Sequence, residues 1–493
     1  MQGPKGLPGS LLVVLGAAAA LAGLATALRA PPAQAGSLPR WSATTLALPG
    51  AAADPEADVA EVTCPSSSTC VAVGGYQLDG GSSAGFIAWG SPQGWSALRA
   101  PLPPGTKAAT GATLSGVSCA SAARCVAVGS YVGPRGETRA YLVSGSGASW
   151  RSVPLALPRG VPSATTPDDV SSVACAPLGQ CVATGSYGPT GAPLIVTGYG
   201  SSWLAASLAR PGGGGSAELS QVACPAAHHC TAAGEYSTAA ADTYLLTASG
   251  YGASWHVALM PRPNLPGVGP SQKLVSGPTA LECPAANSCV AAAYYQTTSG
   301  PRLAGALLYT SSGTTWGAQV AELPPGAQAA PQEPVVVPSL ACARAGACVA
   351  IVSYIGDYGS HEDLPLTFLL SENASGQWAP SPLALFHRPG KPPAPVQLKA
   401  LACEPAGTCV GVGSFVLSPL ATATALLTGH ADQNGVAWHT QLAPAPPTGG
   451  SKYSDTELSR AACSPQSCMA IGTYVAGAGG SHQLLVDSPR AAR

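Results

Sequence analysis

Sixteen cysteines recur as eight close pairs: Cys64/Cys70, Cys119/Cys125, Cys175/Cys181, Cys224/Cys230, Cys283/Cys289, Cys342/Cys348, Cys403/Cys409 and Cys463/Cys468. Seven pairs enclose five residues and the last encloses four. Their first members follow one another at intervals of 49 to 61 residues. Self-similarity of this kind marks a repeat architecture, in which each unit buries its apolar faces only against its neighbours. The 493 residues therefore divide into eight like units, whatever number of domains the length alone would suggest.

The second unit shows the pattern most plainly. Gly116–Cys119 is a short strand, Ala120–Arg124 a turn, and Cys125–Tyr131 a second strand alternating with period two. A turn at Gly133–Glu137 leads to a third strand, Arg139–Val143. A further turn leads to a fourth at Ser149–Leu155. Fourth strands open at Trp95, Trp203, Trp255, Trp316, Trp378 and Trp438 in other units. No segment sustains a helical period. Four short antiparallel strands repeated around an axis predict a β-propeller, where each blade covers its neighbour's face and few edges stay open. A β-solenoid is the alternative, but its repeats are shorter and lack the four-strand rhythm. In the second strands, Val71 and Val73 should face one neighbouring blade and Ala72 and Gly74 the other. The eighth unit stops at Arg493 without a tryptophan strand, while Arg40–Leu48, which contains Trp41, precedes the first unit. The expected fold is thus all-β: an eight-bladed propeller of four-stranded blades over residues 36–493, closed by an N-terminal strand that completes the last blade.

Residues 1–35 read as an export signal. Lys5 precedes an apolar run from Leu11 to Leu28, and Ala33-Gln34-Ala35 supplies small residues before Gly36. An uncleaved anchor is the alternative, and the only expected membrane contact. Charged residues make up 9% of the chain, 22 positive against 23 negative, so neither a nucleic-acid footprint nor a polybasic lipid surface exists. Export agrees with the cysteine count, since disulfides persist in oxidising compartments. Each pair spans the hairpin between first and second strands, where opposed Cα atoms stand about 5.5 Å apart, within disulfide range. Within-hairpin bridges are expected at all eight pairs, with blade-to-blade bridges the alternative. Metal thiolate sites need tighter spacing and further ligands.

The turn before the tryptophan strand reads Gly147-Ala-Ser-Trp150, Gly200-Ser-Ser-Trp203, Gly252-Ala-Ser-Trp255 and Gly313-Thr-Thr-Trp316. This resembles the second half of the Asp-box (BNR) repeat of sialidase-like propellers, Ser-x-Asp-x-Gly-x-Thr-Trp. The aspartate position holds Gly145, Gly198, Gly250 and Ser311, so the likeness is degenerate. The Val-Ser-Cys-x5-Cys-Val-Ala-Val-Gly unit also resembles secreted propeller repeats of high-GC Gram-positive bacteria. That resemblance implies fold and export, and no particular activity.

The aromatics closing the second strands, Tyr76, Tyr131, Tyr187, Tyr236, Tyr294, Tyr354, Phe415 and Tyr474, are expected to pack between blades, and the tryptophans to be core. His228-His229 belongs to an exposed turn. The densest polar cluster, with Asp357, His361, Glu362 and Asp363, is expected in a loop between the second and third strands of the sixth unit. These four are the candidate ligand-binding residues, favouring a cation or a basic partner. Asn373-Ala-Ser375 matches a glycosylation sequon. No nucleophile elbow, P-loop, zincin motif or pickable carboxylate pair points to catalysis, and no cofactor or metal is expected. The sequence thus predicts a monomeric, secreted or cell-envelope binding or scaffold module. Its partner, a protein or a glycan, would meet the variable-loop face. A carbohydrate-active hydrolase or lyase of sialidase-like fold is the alternative.

Overall fold

A computed structural model describes residues 41–489, apart from 92, 107–110, 134–135, 156, 159–160, 162–167, 178, 189–190, 212–213, 241, 266–273, 298–303, 325–327, 330–334, 359–360, 382–395, 419–420, 433–434, 445–455 and 477–480. The export signal lies outside the described residues. Among the described residues no helix is long and apolar enough to cross a membrane.

The strands build an all-β propeller of four-stranded antiparallel blades. The described residues form eight sheets; seven have four strands and one has five. The innermost strands are Asp58–Ser66, Ala112–Ser121, Asp168–Cys175, Ser216–Ala226, Leu274–Ala285, Val336–Arg344, Val396–Cys403 and Thr456–Ser464, here called the inner strands of blades 1 to 8. They touch one another in chain order, and the last touches the first. The N-terminal strand Trp41–Leu46 pairs antiparallel with the C-terminal strand Ser481–Pro489, from Trp41 opposite Pro489 to Leu46 opposite Leu484.

Blade 6 departs from the four-stranded expectation. A two-residue strand, Gln328–Ala329, pairs with Asp357 and Gly356 beyond the end of the inner strand. The second strand of that blade runs on to Tyr358, and the third begins at His361. The expected loop carrying Asp357, His361, Glu362 and Asp363 is therefore a strand hairpin, with Tyr358 opposite His361. Polar residues disfavour strands only weakly when hairpin register and an added strand satisfy their backbone groups.

Packing follows the alternation. Val71 and Val73 pack with Leu114 and Val117 of blade 2. Ala72 and Tyr76 pack with Met469 and Ile471 of blade 8. Among the strand-end aromatics, Tyr76, Tyr236, Tyr354, Phe415 and Tyr474 are buried. Tyr76 Oη donates to Pro49 O at 2.7 Å and Tyr236 Oη to Gly214 O at 2.6 Å. Edge-on ring contacts join Tyr76 to Phe86 and Tyr354 to Phe368. The tryptophans divide. Trp41, Trp150, Trp378 and Trp438 are buried, whereas Trp95, Trp203, Trp255 and Trp316 are half-buried. Trp150, Trp203 and Trp255 donate from Nε1 to the carbonyls of Gly147, Gly200 and Gly252 at 2.9 to 3.0 Å, holding each turn.

All eight cysteine pairs are bridged within their hairpins: Cys64–Cys70, Cys119–Cys125, Cys175–Cys181, Cys224–Cys230, Cys283–Cys289, Cys342–Cys348, Cys403–Cys409 and Cys463–Cys468. No described cysteine is free. Their Cα atoms are 3.9 to 4.2 Å apart, closer than the expected 5.5 Å. The bridges occupy the closer, non-hydrogen-bonded type of pair, where side chains approach most. Cysteine turns and tryptophan turns share one end of the blades. Gly313 N donates to Asn287 O at 2.9 Å, and Ala431 N to Gly407 O at 2.7 Å. His228 and His229 are exposed in the turn of blade 4, where His228 takes a φ of 63° and meets Tyr251 edge-on.

The Asp-box likeness is fullest in blade 6. Ser371-Glu-Asn373 stands where the pattern has Ser-x-Asp, five residues before Trp378. Asn373 Oδ1 accepts hydrogen bonds from Ser375 N, Ser375 Oγ and Gln377 N at 3.0, 2.6 and 3.0 Å. The sequon residue is thus a turn-former, a role its position five residues before Trp378 could have signalled.

Candidate functional site: the axial cavity

Each inner strand carries a register shift at the same place, four residues before its first cysteine or adjoining it: at Ala60, Ser115, Ser171, Ser220, Thr279, Pro338, Lys399 and Ser459. A bulge inserts an unpaired residue and bends the strand, a device used to re-aim side chains. The bend brings the facing second strand unusually close. A Cβ on Gly74 would stand 1.9 Å from Asp58 O, and one on Gly234 1.8 Å from Glu218 O. In six of the eight sheets a glycine of the second strand stands at this approach, while Ala293 and Val352 take the position in blades 5 and 6.

Inside the bulges, the inner strands of the eight sheets line one cavity of about 1040 Å³. Its wall is built of small and hydroxylated side chains, among them Thr63, Ser118, Ser172, Gln221 and Ser339. Among the described residues, no aromatic side chain lines it. Its charged lining residues are Glu61, Glu282, Lys399 and Arg460.

The bridged cysteines divide between the cavity wall and the core. The first members of the pairs, on the inner strands, line the cavity in every blade but the second. The second members do not reach it: Cys70, Cys125, Cys181, Cys230, Cys289, Cys348, Cys409 and Cys468 are buried on the second strands, one layer farther from the axis. Cys230 lies opposite Gly250 and Cys409 opposite Gly429 of the third strands, so sheet covers them on the outer side as well. Cys289 N donates to Ser311 Oγ of the third strand at 2.7 Å. Cys230, Cys289 and Cys409 are therefore structural residues that clamp the hairpin, and where a bridge reaches the cavity it does so through its first cysteine.

Glu61 and Arg460 stand three residues before the first cysteine of blades 1 and 8, at the same level on touching strands. Arg460 Nε donates to Ala60 O at 2.6 Å and Nη1 to Ser459 O at 2.9 Å. Glu61 Oε1 accepts from Val62 N at 3.1 Å. Glu282 belongs to blade 5, four blades away from Glu61, and stands one residue before its cysteine. It therefore lies about 7 Å nearer the cysteine turns than Glu61 does, at about 3.4 Å per residue. Both carboxyls reach water inside the cavity, but walls enclose them on every side. That enclosure raises Glu61, with the Val62 amide and Arg460 opposing it. Enclosure also pushes Glu282 up to about 7, and the charge of Glu61 adds to the rise. Lys399 is engaged by Glu457.

The mouth opposite the cysteine turns carries further carboxylates. Asp58, Asp169, Glu218 and Glu457 occupy one repeated position, six residues before the first cysteine. Glu218 and Glu235 are register partners in blade 4. Partial burial raises Glu218, and Asp169 adds to the rise. Partial burial likewise raises Glu235, with Glu218 adding to it. The blade 6 hairpin rises at this same end, because a hairpin between second and third strands points away from the cysteine turns. The side chains of Asp357, His361, Glu362 and Asp363 lie outside the described residues, so the cavity residues are what sequence reading missed. Glu61, Glu282 and Arg460 share no motif. Their only signal was a charge three or one residues before a repeated cysteine. Among the described residues, no three His, Cys, Asp or Glu side chains gather as metal ligands.

No protein-family model matches the chain, and no curated protein matches it. Among solved structures it is similar to an α-L-arabinanase of Penicillium chrysogenum complexed with arabinobiose, with TM-score 0.35 and 14% identity over 64% of this chain and 90% of that one. It is similar to a sialidase of Trypanosoma rangeli, with TM-score 0.36 and 9% identity over 91% of this chain and 59% of that one. A puromycin-hydrolyzing peptidase of Mycobacterium tuberculosis matches with TM-score 0.40 and 12% identity, over 88% and 62%. The chain spans less than two thirds of the sialidase and of the peptidase. No residue is carried over from overlaps this loose, and the fold assignment rests on the strand pairing above.

Proposed function

We propose that the chain is an exported eight-bladed propeller that acts as a non-catalytic binding or scaffold module. The observation that carries this reading is the wall of the axial cavity: small, hydroxylated and, among the described residues, free of aromatics, with four charged residues. A sialidase-type centre needs several converging arginines and a Tyr–Glu nucleophile pair. Among the described residues, the cavity has one arginine and no tyrosine. Eight local disulfides suit an extracellular or envelope location. In this reading residues 1–35 are removed on export, and the strand from Trp41 to Leu46 seals the ring as the outermost strand of blade 8. The ligand, a protein or glycan, enters at the mouth opposite the cysteine turns. There the hairpin carrying Asp357, His361, Glu362 and Asp363 forms part of the rim.

One observation favours a carbohydrate-active hydrolase instead. Glu61 and Glu282 approach the cavity from opposite sides, and a carboxyl near 7 suits a general acid. A screen of the mature chain against glycans and secreted proteins, run alongside a panel of aryl glycosides, separates the readings. Binding without turnover supports the module. Turnover abolished by Glu282→Gln replaces it with the hydrolase. Changing Asp357, His361, Glu362 and Asp363 to Ser or Asn should weaken binding if the hairpin forms the rim. Weakening only by changes in the cysteine turns would place the site at the other end.

A further inference from the structure

The two acids and two bases lining the cavity do not pair off with one another. Arg460 stands beside Glu61 at the same level on the touching strand. Lys399 is engaged by Glu457. Glu282 is left on the far wall, with no hydrogen bond or ion pair from any described residue, and the other charge that acts on it is the like charge of Glu61. A carboxylate held in a walled cavity without a counter-charge is costly unless a proton or a ligand cation neutralises it.

The surroundings say what shape that cation would take. A metal ion would need several hard oxygen ligands converging on one point, and no such group of acidic side chains occurs among the described residues. Among the described residues no aromatic lines the wall to cage a quaternary ammonium. Hydroxyls and an amide are present instead, at Thr63, Ser118, Ser172, Gln221 and Ser339. They match a small polar body that exchanges hydrogen bonds. Arg460 adds a donor, since its Nη2 has no hydrogen-bond partner among the described residues, whereas Nε and Nη1 are used on Ala60 and Ser459. The carboxylates of the mouth, Asp58, Asp169 and Glu218, would raise the local concentration of a cation on its way in.

We propose that the axial cavity binds a small polar ligand through its protonated primary amine, with Glu282 as the counter-ion and Arg460 and the wall hydroxyls holding the ligand's oxygens. This rests on the reading of the cavity as the binding site and specifies what enters it. Amino sugars and the amino ends of short peptides share this chemistry.

The test is a titration of the mature chain, followed by NMR shifts of the inner-strand amides, with three probes. Glucosamine carries amine and hydroxyls, glycinamide carries an amine on a small amide body, and glucose carries hydroxyls alone. Glucosamine or glycinamide should bind saturably and glucose about tenfold or more weakly. Glu282→Gln should remove that advantage, and Glu282→Asp should keep most of it, with unchanged circular dichroism in both. If glucosamine prevails over glycinamide the natural ligand is a sugar amine, and the reverse order assigns a peptide amine. Glucose binding as tightly as glucosamine, with Glu282→Gln without effect, overturns the amine inference and leaves the cavity as the binding site. No saturable shift of the inner strands with any probe overturns both.

Discussion

Arg460 on the last inner strand donates from Nε to the carbonyl oxygen of Ala60 on the first, at 2.6 Å, across 400 residues of chain. Ala60 is itself a bulge residue, without a register partner in its own sheet. Elsewhere hydroxyls make the same kind of link. Ser115 Oγ donates to Val170 O at 3.1 Å, Cys175 N donates to Ser118 Oγ at 3.0 Å, and Leu401 N donates to Ser339 Oγ at 2.9 Å. In each case a side chain of one blade bonds a backbone group of the next.

Replacing Arg460 by Met keeps the aliphatic stem and removes two charge-assisted hydrogen bonds. The expected cost is about 1.5–3 kcal/mol, seen as a lower midpoint in urea at unchanged slope. Removal of the N-terminal strand through Leu46 should lower the midpoint further, since it strips the partner from Ser481–Pro489. Wild-type stability in both variants would show that the first and last blades do not depend on each other.

Peptide mapping without reductant should recover eight short cross-links, from Cys64–Cys70 to Cys463–Cys468. Removing one bridge by Cys175→Ser with Cys181→Ser should cost roughly 2 kcal/mol, the chain-entropy value for so short a loop. A cross-link joining two repeats would contradict the local pairing.

Gly234→Ala should be among the most damaging single methyl additions, because the new Cβ would lie 1.8 Å from Glu218 O. Restoring contact distance requires undoing the bulge, and a loss on the order of 3 kcal/mol or failure to fold is expected. The matching change at exposed Gly214, whose Cβ would meet nothing within 4 Å, is the control.

Glu372 is 3% exposed and lies where most other blades have glycine opposite the tryptophan. Burial pushes its carboxyl up to about 7 from 4.5, opposed by the Cys348 and Gly346 amides. The folded chain therefore holds a proton that the unfolded chain releases. This contribution to stability is complete below about pH 4.5 and is lost as pH rises through about 7. Glu372→Gln should melt higher than the wild type at pH 8 and lose that advantage at pH 4. Glu282 has the same sign and leaves a smaller slope in the variant. An identical pH profile in both proteins would place Glu372 in water.

What the sequence determined was local and periodic. The spacing of the cysteines, the Val-Ala-Val-Gly alternation and the tryptophan turns recur in every neighbourhood, and period-two burial follows from strand geometry alone. The pairing of Trp41–Leu46 with the C-terminal strand could also be anticipated, because a missing strand at one end matched a spare one at the other. What only the tertiary structure decided was adjacency across the repeats. Spacing pairs Cys224 with Cys230, yet only the ring's layering shows that the first faces the cavity and the second the core. Glu61, Glu282 and Arg460 are unremarkable in their own segments, and their meeting depends on bulges at Ala60, Thr279 and Ser459 and on which blades touch. The same holds for Asp357 and His361. Their composition reads as loop, yet an extended hairpin and the added pairing of Gln328–Ala329 make them strand. Propensity is a small local preference, and here the backbone hydrogen bonds that neighbouring strands supply outweigh it.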